Sequence, residues 1–145
     1  MVLQPSLQYM AGLIDGEACI YISFSRPGSG IFSIRIAGCF PRSMMDIIQA
    51  TYGGHVHYKP RRQDHHRDQW SWDIHGKEAI CFLEQVRPYL ILKGEEADTF
   101  IEAWNKAVIP YWFKHGKNLE RDKILRPYYE YLKLLKRRNY GETVQ

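Results

Sequence analysis

The chain has 145 residues, of which 45% are hydrophobic and 25% charged, and its formal net charge is +4. This length fits one domain with its own core, and the composition excludes a disordered or collagen-like chain. No apolar run reaches the roughly 18 residues that a membrane span needs, and no charged segment leads into an apolar one at the amino terminus. We therefore expect a soluble protein without a membrane partner or a secretion signal.

The positive charge is concentrated near the carboxyl end. Between Lys114 and Arg138, nine Lys and Arg residues stand against three Asp and Glu residues, so the rest of the chain carries a net charge of −2. Such a segment is either a solvated helix face or a surface for a polyanion. We expect a core domain over residues 1–110 and a basic helical tail over 111–145 that packs on the core.

Three cysteines, Cys19, Cys39 and Cys81, lie far apart and form no CxxC pair. Their number is odd, and their sequence neighbours are mostly apolar. We therefore expect reduced, buried thiols in a reducing interior, rather than a disulfide framework or a zinc knuckle.

The chain alternates between helical and strand periodicity. Apolar residues three or four apart indicate helices, whereas strict alternation of apolar and polar residues indicates strands. Ser43 and Asp46 form a capping box at the start of the second helix, and Pro127 suits the first turn of the last helix. In chain order we predict a helix from Ser6 to about Asp15, strands over 19–25 and 31–36, a helix over 44–52, strands over 55–61 and 69–75, and helices over 77–86, over 94–108 and from about Arg126.

Four strands in two antiparallel hairpins, with helices on one side only, make an α+β domain with an open sheet face. The side chains assigned to this face combine hydrogen-bond donors, acceptors and cations, which suits base edges in a major groove together with phosphates. An ordinary solvated sheet face has the same pattern. The residues assigned to the open face are Tyr21, Ser23, Ser25, Ser33, Arg35, His55, His57, Lys59, Arg61, Ser71, Asp73 and His75.

Five of the six histidines lie between residues 55 and 75, so a metal site has to be considered. His55 and His57 share a strand face, and His65 and His66 lie in the polar loop that follows. Neither a Cys partner nor an HExxH helix accompanies them. We expect polar contacts or solvated histidines rather than a zinc site.

Residues Met10–Ala18 read MAGLIDGEA. Gly12 and Gly16 lie one helical turn apart with Ala11 beside them, so a second helix could approach closely along that side. Glu17 falls where helix gives way to strand, and its carboxylate can hold a hard divalent cation together with the Gly16 carbonyl. The segment resembles the LAGLIDADG motif of homing endonucleases, in the variant whose second acidic residue is Glu.

The resemblance covers roughly residues 6–108. It implies the αββαββα fold of that family, with an antiparallel four-stranded DNA-binding sheet, to which this chain adds C-terminal helices. Residues 88–93, PYLILK, resemble the family segment Pro-aromatic-Leu-x-Leu-Lys, whose lysine lies near the catalytic centre. The resemblance thus implies Glu17 and Lys93 as catalytic residues, and Glu17 with Gly16 as ligands of Mg²⁺ or Mn²⁺.

The motif occurs once, and members of the family with one motif act as homodimers. A glycine-rich helix face needs a partner, and a two-fold contact supplies an identical one. Ala11, Gly12, Asp15 and Gly16 then belong to the dimer helix, with Asp15 bonded to the end of the partner helix. The implied function is a homing endonuclease that cleaves double-stranded DNA at a long near-palindromic site by metal-dependent hydrolysis, in a bacterial or archaeal cytoplasm or in an organelle that encodes it.

One position departs from the family pattern. A polar residue such as Gln, Asn or Asp follows the second strand in the family, whereas this chain has Gly38 between Ala37 and Cys39. Either Arg35 or Arg42 supplies a polar group from nearby, or the water network differs, or activity is reduced. The departure favours an alternative, a catalytically inactive nucleic-acid-binding relative such as an intron maturase or a DNA-binding regulator. A third alternative, an unrelated basic protein whose tail binds a membrane or an acidic partner, requires an accidental match to the motif.

Overall fold

The computed structural model describes residues 3–25, 28–107 and 119–139. The elements confirm the predicted αββαββα order, which two further helices follow at the carboxyl end. They are helix α1 (Leu7–Glu17), strands β1 (Ala18–Ser23) and β2 (Ile31–Gly38), helix α2 (Arg42–Tyr52), strands β3 (His55–Lys59) and β4 (Gln69–His75), helix α3 (Gly76–Val86), a 3₁₀ turn (Arg87–Tyr89), helix α4 (Gly94–Lys106) and helix α5 (Leu119–Asn139).

The four strands form one antiparallel sheet in the order β1-β2-β4-β3. Ile34 of β2 lies directly between Ile20 of β1 and Ile74 of β4. All three side chains are buried, and they alternate along their strands with the polar side chains of the opposite face. One face of the sheet therefore holds the core, as the alternation predicts.

Large aromatic side chains fill the layer between sheet and helices. Phe32 packs edge to face on Phe100 of α4, with 5.0 Å between ring centroids. Trp72 is fully buried, and its indole Nε1–H donates to the Gly53 carbonyl at 2.7 Å. Full burial of each such side chain contributes about 1.5 to 3 kcal/mol, so this layer fixes the sheet against the helices.

The predicted start of α1 and the predicted end of α2 are confirmed. The Ser6 hydroxyl accepts from the Tyr9 N–H at 3.1 Å, which caps α1. Gly53 and Gly54 follow α2 with φ of +80° and +84°, a conformation that favours glycine. The chain thereby reverses into β3 immediately after the helix.

The predicted capping box of α2 is wrong. The helix begins at Arg42 with Pro41 as its cap residue, and no side chain caps it. Asp46 forms an ion pair with Arg42 at 3.4 Å instead of reaching back to Ser43. Pro41 itself is extended, and its carbonyl accepts from the Met44 N–H at 3.1 Å, so the first turn forms two residues before the predicted start at 44.

The predicted start of the last helix is also wrong, because α5 begins at Leu119 and contains Pro127 in its interior. A proline there costs a backbone hydrogen bond, about 3 kcal/mol. Leu125, which precedes it, is fully buried, as are Leu132 and Leu135 at the helical spacing beyond it. Burial of these leucines against the domain outweighs the cost of the proline. The predicted domain boundary near residue 110 lies outside the described residues.

The three cysteines are free, as predicted, but all of them are exposed, so the prediction of buried thiols is wrong. Cys19 alternates with the buried Ala18 and Ile20 and therefore points away from the core. Cys81 lies on the outer face of α3. Among the described helices, none combines the length and the hydropathy needed to cross a bilayer.

Candidate active site and nucleic-acid interface

Glu17 is the last residue of α1, directly before the first residue of β1. Its side chain is exposed. The Ala18 N–H donates to the Ile14 carbonyl and closes the last helical turn. The carboxylate therefore stands at the junction of helix and sheet, where the motif predicts it.

Asp15 and Lys93 join α1 to the segment that begins α4. The Asp15 carboxylate accepts from the backbone N–H groups of Ile91, Leu92 and Lys93 at 2.8, 3.1 and 3.0 Å. In return, Lys93 Nζ donates to the Ile14 carbonyl at 2.9 Å and to the Ala18 carbonyl. These bonds satisfy donors at the start of one helix and acceptors at the end of the other.

This arrangement corrects one expectation. Asp15 bonds to its own chain, not to a partner helix, because three donors of residues 91–93 surround its carboxylate. Lys93 is 3% exposed, and its ammonium points into the junction beside Glu17. The lysine places a positive charge beneath the candidate site.

One face of α1 is open. Gly12 and Gly16 are exposed, and no heavy atom of the described residues lies within 4 Å of a Cβ built at either glycine. Ile91 and Leu92, held next to α1 by Asp15, are 87% and 67% exposed. Ala11, expected on this face, is instead fully buried, because its side chain points into the core.

The residues assigned to the open sheet face lie on it, but they differ in exposure. Register places Tyr21 opposite Ser33, Arg35 opposite Asp73, and His57 opposite Ser71. Ser33 and Asp73 are each 1% exposed, because neighbouring side chains cover them, and the prediction of direct DNA contact by these two is therefore wrong. The partly or well exposed members are Tyr21, Ser23, Arg35, His55, His57, Lys59, Ser71 and His75, with Ser25 and Arg61 just beyond the ends of β1 and β3.

Asp73 organises the centre of this face. Its carboxylate lies 3.0 Å from Arg35 Nη2, from His57 Nε2 and from His75 Nε2. Burial acts to raise the pKa of Asp73, but the hydrogen bonds from Arg35 and His57 and the charges of His57 and His75 outweigh it. The pKa therefore lies below its ordinary value.

A further cation comes from the basic tail. Lys136 of α5 lies with Nζ 3.3 Å from Cys19 Sγ and 5.8 Å from the centre of the Tyr21 ring, at the β1 edge of the open face. The sequence indicates a basic tail, but nothing in its spacing points to this lysine in particular. The tail thus adds positive charge beside the strand that follows Glu17.

Among the comparisons with known proteins, only the comparison of structures finds matches. No protein-family model and no curated protein matches the sequence. I-Vdi141I, an archaeal intron-encoded homing endonuclease complexed with DNA, is 16% identical with a TM-score of 0.65, over 89% of this chain and 82% of that chain. The homing endonuclease I-CvuI, in complex with DNA, is 20% identical with a TM-score of 0.63, over 89% and 80% of the two chains. This chain has the LAGLIDADG homing endonuclease fold.

A structure of the meganuclease I-SmaMI shows how the homing endonuclease fold is shared with longer chains. It is 14% identical with a TM-score of 0.62, and it matches 87% of this chain but only 43% of its own. The predicted α+β fold and four-stranded antiparallel sheet are therefore confirmed.

The Phe40 ring lies beside Gly38, the position at which this chain departs from the homing endonuclease pattern. A Cβ at Gly38 would lie 3.0 Å from the Phe40 ring. The two arginines proposed to compensate have other partners, since Arg35 bonds to Asp73 and Arg42 lies over the Trp70 ring at 5.1 Å. Neither Arg35 nor Arg42 therefore replaces the polar residue that follows the second strand in the family.

Among the described residues of one chain, no group of three or more His, Cys, Asp or Glu side chains could hold a metal ion. The donors that one chain offers at the α1 junction are the Glu17 carboxylate and the main-chain carbonyl of Gly16. Both are hard oxygen donors of the type that Mg²⁺ prefers, and Mg²⁺ usually keeps water and phosphate oxygens as its other ligands. The donor set fits such an ion only when DNA or a second chain completes it.

Proposed function

We propose that this protein is a homodimeric, site-specific DNA endonuclease. The observation that carries the proposal is the exposed Glu17 carboxylate at the end of α1, between the open glycine face of that helix and the open face of the sheet. The glycine face alone would be an ordinary exposed helix face, and the sheet face alone an ordinary solvated sheet. Hydrolysis of a bound duplex requires a carboxylate next to a DNA-binding surface, and Glu17 lies where the two faces meet.

The dimer follows from the open face of α1. Gly12 and Gly16 allow two helices to approach closely, and a two-fold axis between them makes the contact self-complementary. Ile91 and Leu92 add exposed apolar side chains that such a contact would cover. The two Glu17 residues would then lie side by side near the axis.

The sheet supplies the DNA contacts. The eight residues of β2 span about 27 Å, which corresponds to roughly eight base pairs of B-form DNA. Exposed Arg and Lys side chains would contact phosphates, while Ser, His and Arg side chains would read base edges in the major groove. Two sheets related by the dimer axis would read a long near-palindromic site.

Hydrolysis adds water across the P–O3′ bond and leaves a 5′ phosphate and a 3′ hydroxyl. Glu17 and the Gly16 carbonyl would hold a hard divalent cation, Mg²⁺ or Mn²⁺, which supplies Lewis-acid stabilisation of the phosphoryl oxygens and lowers the pKa of a bound water. Lys93 fixes the junction that carries Glu17 through its bonds to Ile14 and Ala18. Its buried charge would also stabilise the additional negative charge of the transition state.

A second candidate function is DNA or RNA binding without cleavage, as in an intron maturase or a DNA-binding regulator. Two observations favour it: the Lys93 ammonium donates to backbone carbonyls, and the Phe40 ring lies where a side chain at Gly38 would begin. The exposed Glu17 beside two open surfaces favours the nuclease, because a protein that only binds nucleic acid has no need of a carboxylate next to phosphates.

The test begins with sites selected from a randomised duplex library and cloned into a plasmid. We expect Mg²⁺-dependent cutting by the wild type. Glu17→Gln should bind the same site within about threefold, because one exposed charge is lost, but should lose cleavage by at least about a thousandfold, since one metal-binding carboxylate is replaced. Glu84→Gln, the same change at an exposed position of α3, is the control. Equal cutting by Glu17→Gln would exclude Glu17 as a catalytic residue, and specific binding without cutting by the wild type would favour the second candidate.

A further inference from the structure

The open sheet face holds a buried negative charge at its centre. Asp73 lies on the internal strand β4, directly opposite Arg35 of β2 and His55 of β3. Its side chain is 1% exposed, whereas that of Arg35 is 46% exposed. A carboxylate is thus covered by cationic and imidazole side chains on the surface that we propose for a polyanion.

This placement opposes non-specific DNA binding. Phosphate contacts provide affinity that does not depend on sequence, and a negative charge beneath them reduces it. The core does not require the carboxylate either, because Trp72 and Ile74 on either side of Asp73 point to the opposite face of the sheet. The function of Asp73 therefore lies in the side chains that it binds.

Arg35 is the bound side chain best suited to base recognition. Its Nη2 donates to Asp73 Oδ2 at 3.0 Å, while nearly half of the side chain faces solvent. The guanidinium is a rigid planar fork, so fixing one of its nitrogens fixes the direction of the others. An arginine held in this way loses less conformational freedom on binding, and a bidentate bond to O6 and N7 of guanine is its commonest specific contact.

Two histidines lie against the carboxylate from other sides. His57 Nε2 and His75 Nε2 each lie 3.0 Å from an Asp73 oxygen. His75 is held in turn by Ser33, whose Oγ lies 2.8 Å from its Nδ1. Side chains of three strands therefore surround the carboxylate that binds Arg35.

We propose that Asp73 is a positioning residue for base recognition: it holds the Arg35 guanidinium so that Arg35 selects a G·C base pair in the major groove. The inference rests on the proposed DNA-binding function. It adds to that function the identity of one base pair in each half of the target site.

The experiment is selection of bound duplexes from a randomised library by the wild type, Asp73→Asn, Arg35→Lys and the control Glu84→Gln. Asparagine keeps the shape of Asp73 without its charge, and lysine keeps the charge of Arg35 without its planar fork. The wild type and the control should select guanine at one position of each half-site. Both test variants should lose at least about tenfold of that preference, whereas the affinity of Asp73→Asn for unselected DNA should be unchanged or higher, because a negative charge is removed.

Retention of the guanine preference by either test variant would overturn the inference. The melting temperature of each variant shows whether it folds, and if Asp73→Asn does not, Asp73→Ser replaces it in the selection. If the wild type binds no duplex, the proposed function fails. NMR of the Arg35 guanidinium then still tests the positioning role without DNA: rotation should be slow in the wild type and fast in Asp73→Asn, and equal rates would contradict it.

Discussion

Asp15 and Lys93 each bond to the backbone of the segment that carries the other. The carboxylate accepts from three N–H groups of residues 91–93, and the ammonium donates to two carbonyls at the end of α1. Hydrogen bonds with a charged partner are stronger than those between neutral groups. This exchange of bonds holds Glu17 in place, because Glu17 lies between Ile14 and Ala18.

Asp15→Asn should lower the free energy of unfolding by about 1 to 3 kcal/mol, since the amide removes the charge and turns an NH₂ group toward backbone donors. Urea denaturation measures the change. Asp46→Asn is the matched control: its carboxylate pairs with Arg42 on the exposed surface of α2, where such pairs contribute less than about 0.5 kcal/mol. Equal losses in the two variants would contradict the structural role of Asp15.

Individual residues were predictable from sequence only where two signals coincide. The location of Glu17 was predictable in this way, because the motif and the change from helical to strand periodicity fall at the same residue. The burial of Ser33 and Asp73 was not predictable, since a period of two assigns a face but does not show that neighbouring side chains cover it. The inward direction of Lys93 depends on carbonyls of α1, more than 70 positions away in sequence.

At the scale of elements, the contact of α4 with α5 contains a buried acid. Glu96 is 1% exposed, and its Oε1 accepts from Asn139 Nδ2 at 3.2 Å. Burial raises the pKa of Glu96 above its usual value, and the hydrogen bond from Asn139 with the charges of Lys93 and Lys136 offsets only part of this. The folded state therefore holds this proton more tightly than the unfolded state. The resulting stability is present below the usual pKa of 4.5 and is lost as the pH rises through the higher folded value.

Glu96→Gln should reduce the loss of stability at higher pH, because the amide stays neutral at every pH and keeps an oxygen that accepts from Asn139. We expect a higher melting temperature than the wild type near pH 7 and a smaller difference near pH 4, measured by circular dichroism across this range. Glu102→Gln changes an exposed acid of the same helix and should leave the pH dependence nearly unchanged. A Glu96→Gln curve parallel to that of the wild type would exclude Glu96 as the source.

Element order and sheet faces were predictable because periodicity and glycine stops agree along most of the chain. The starts of α2 and α5 were not, because the predictions used local signals, the spacing of Ser43 and Asp46 for α2 and Pro127 for α5. Pro41 precedes a helix that begins at once, and Pro127 lies within a helix whose leucines are buried on both sides of it. Tertiary packing determines where such helices begin, and local sequence signals do not contain this information.

At the scale of the whole molecule, the two open surfaces have different chemistry. The sheet face is polar and carries cations, whereas the α1 face combines bare helix backbone at two glycines with exposed Ile91 and Leu92. The first suits a hydrated, charged partner and the second a close apolar contact. Because Glu17 lies where they meet, dimer formation and DNA cleavage should fail together when the helix contact is blocked.

Gly12→Leu tests this coupling. No described heavy atom lies within 4 Å of a Cβ at Gly12, so the leucine fits the monomer, and it favours the helix over glycine by up to about 1 kcal/mol. The side chain would, however, separate two helices packed at the glycine face. Sedimentation velocity should give a dimer for the wild type and a monomer for Gly12→Leu. The melting temperature of Gly12→Leu should equal or exceed that of the wild type. Its binding to the selected site should be at least about a hundredfold weaker, since a monomer contacts only one half-site. Glu84→Leu adds the same side chain to the exposed face of α3 and should remain dimeric. A dimeric Gly12→Leu variant with normal DNA affinity would mean that the chains associate through another surface.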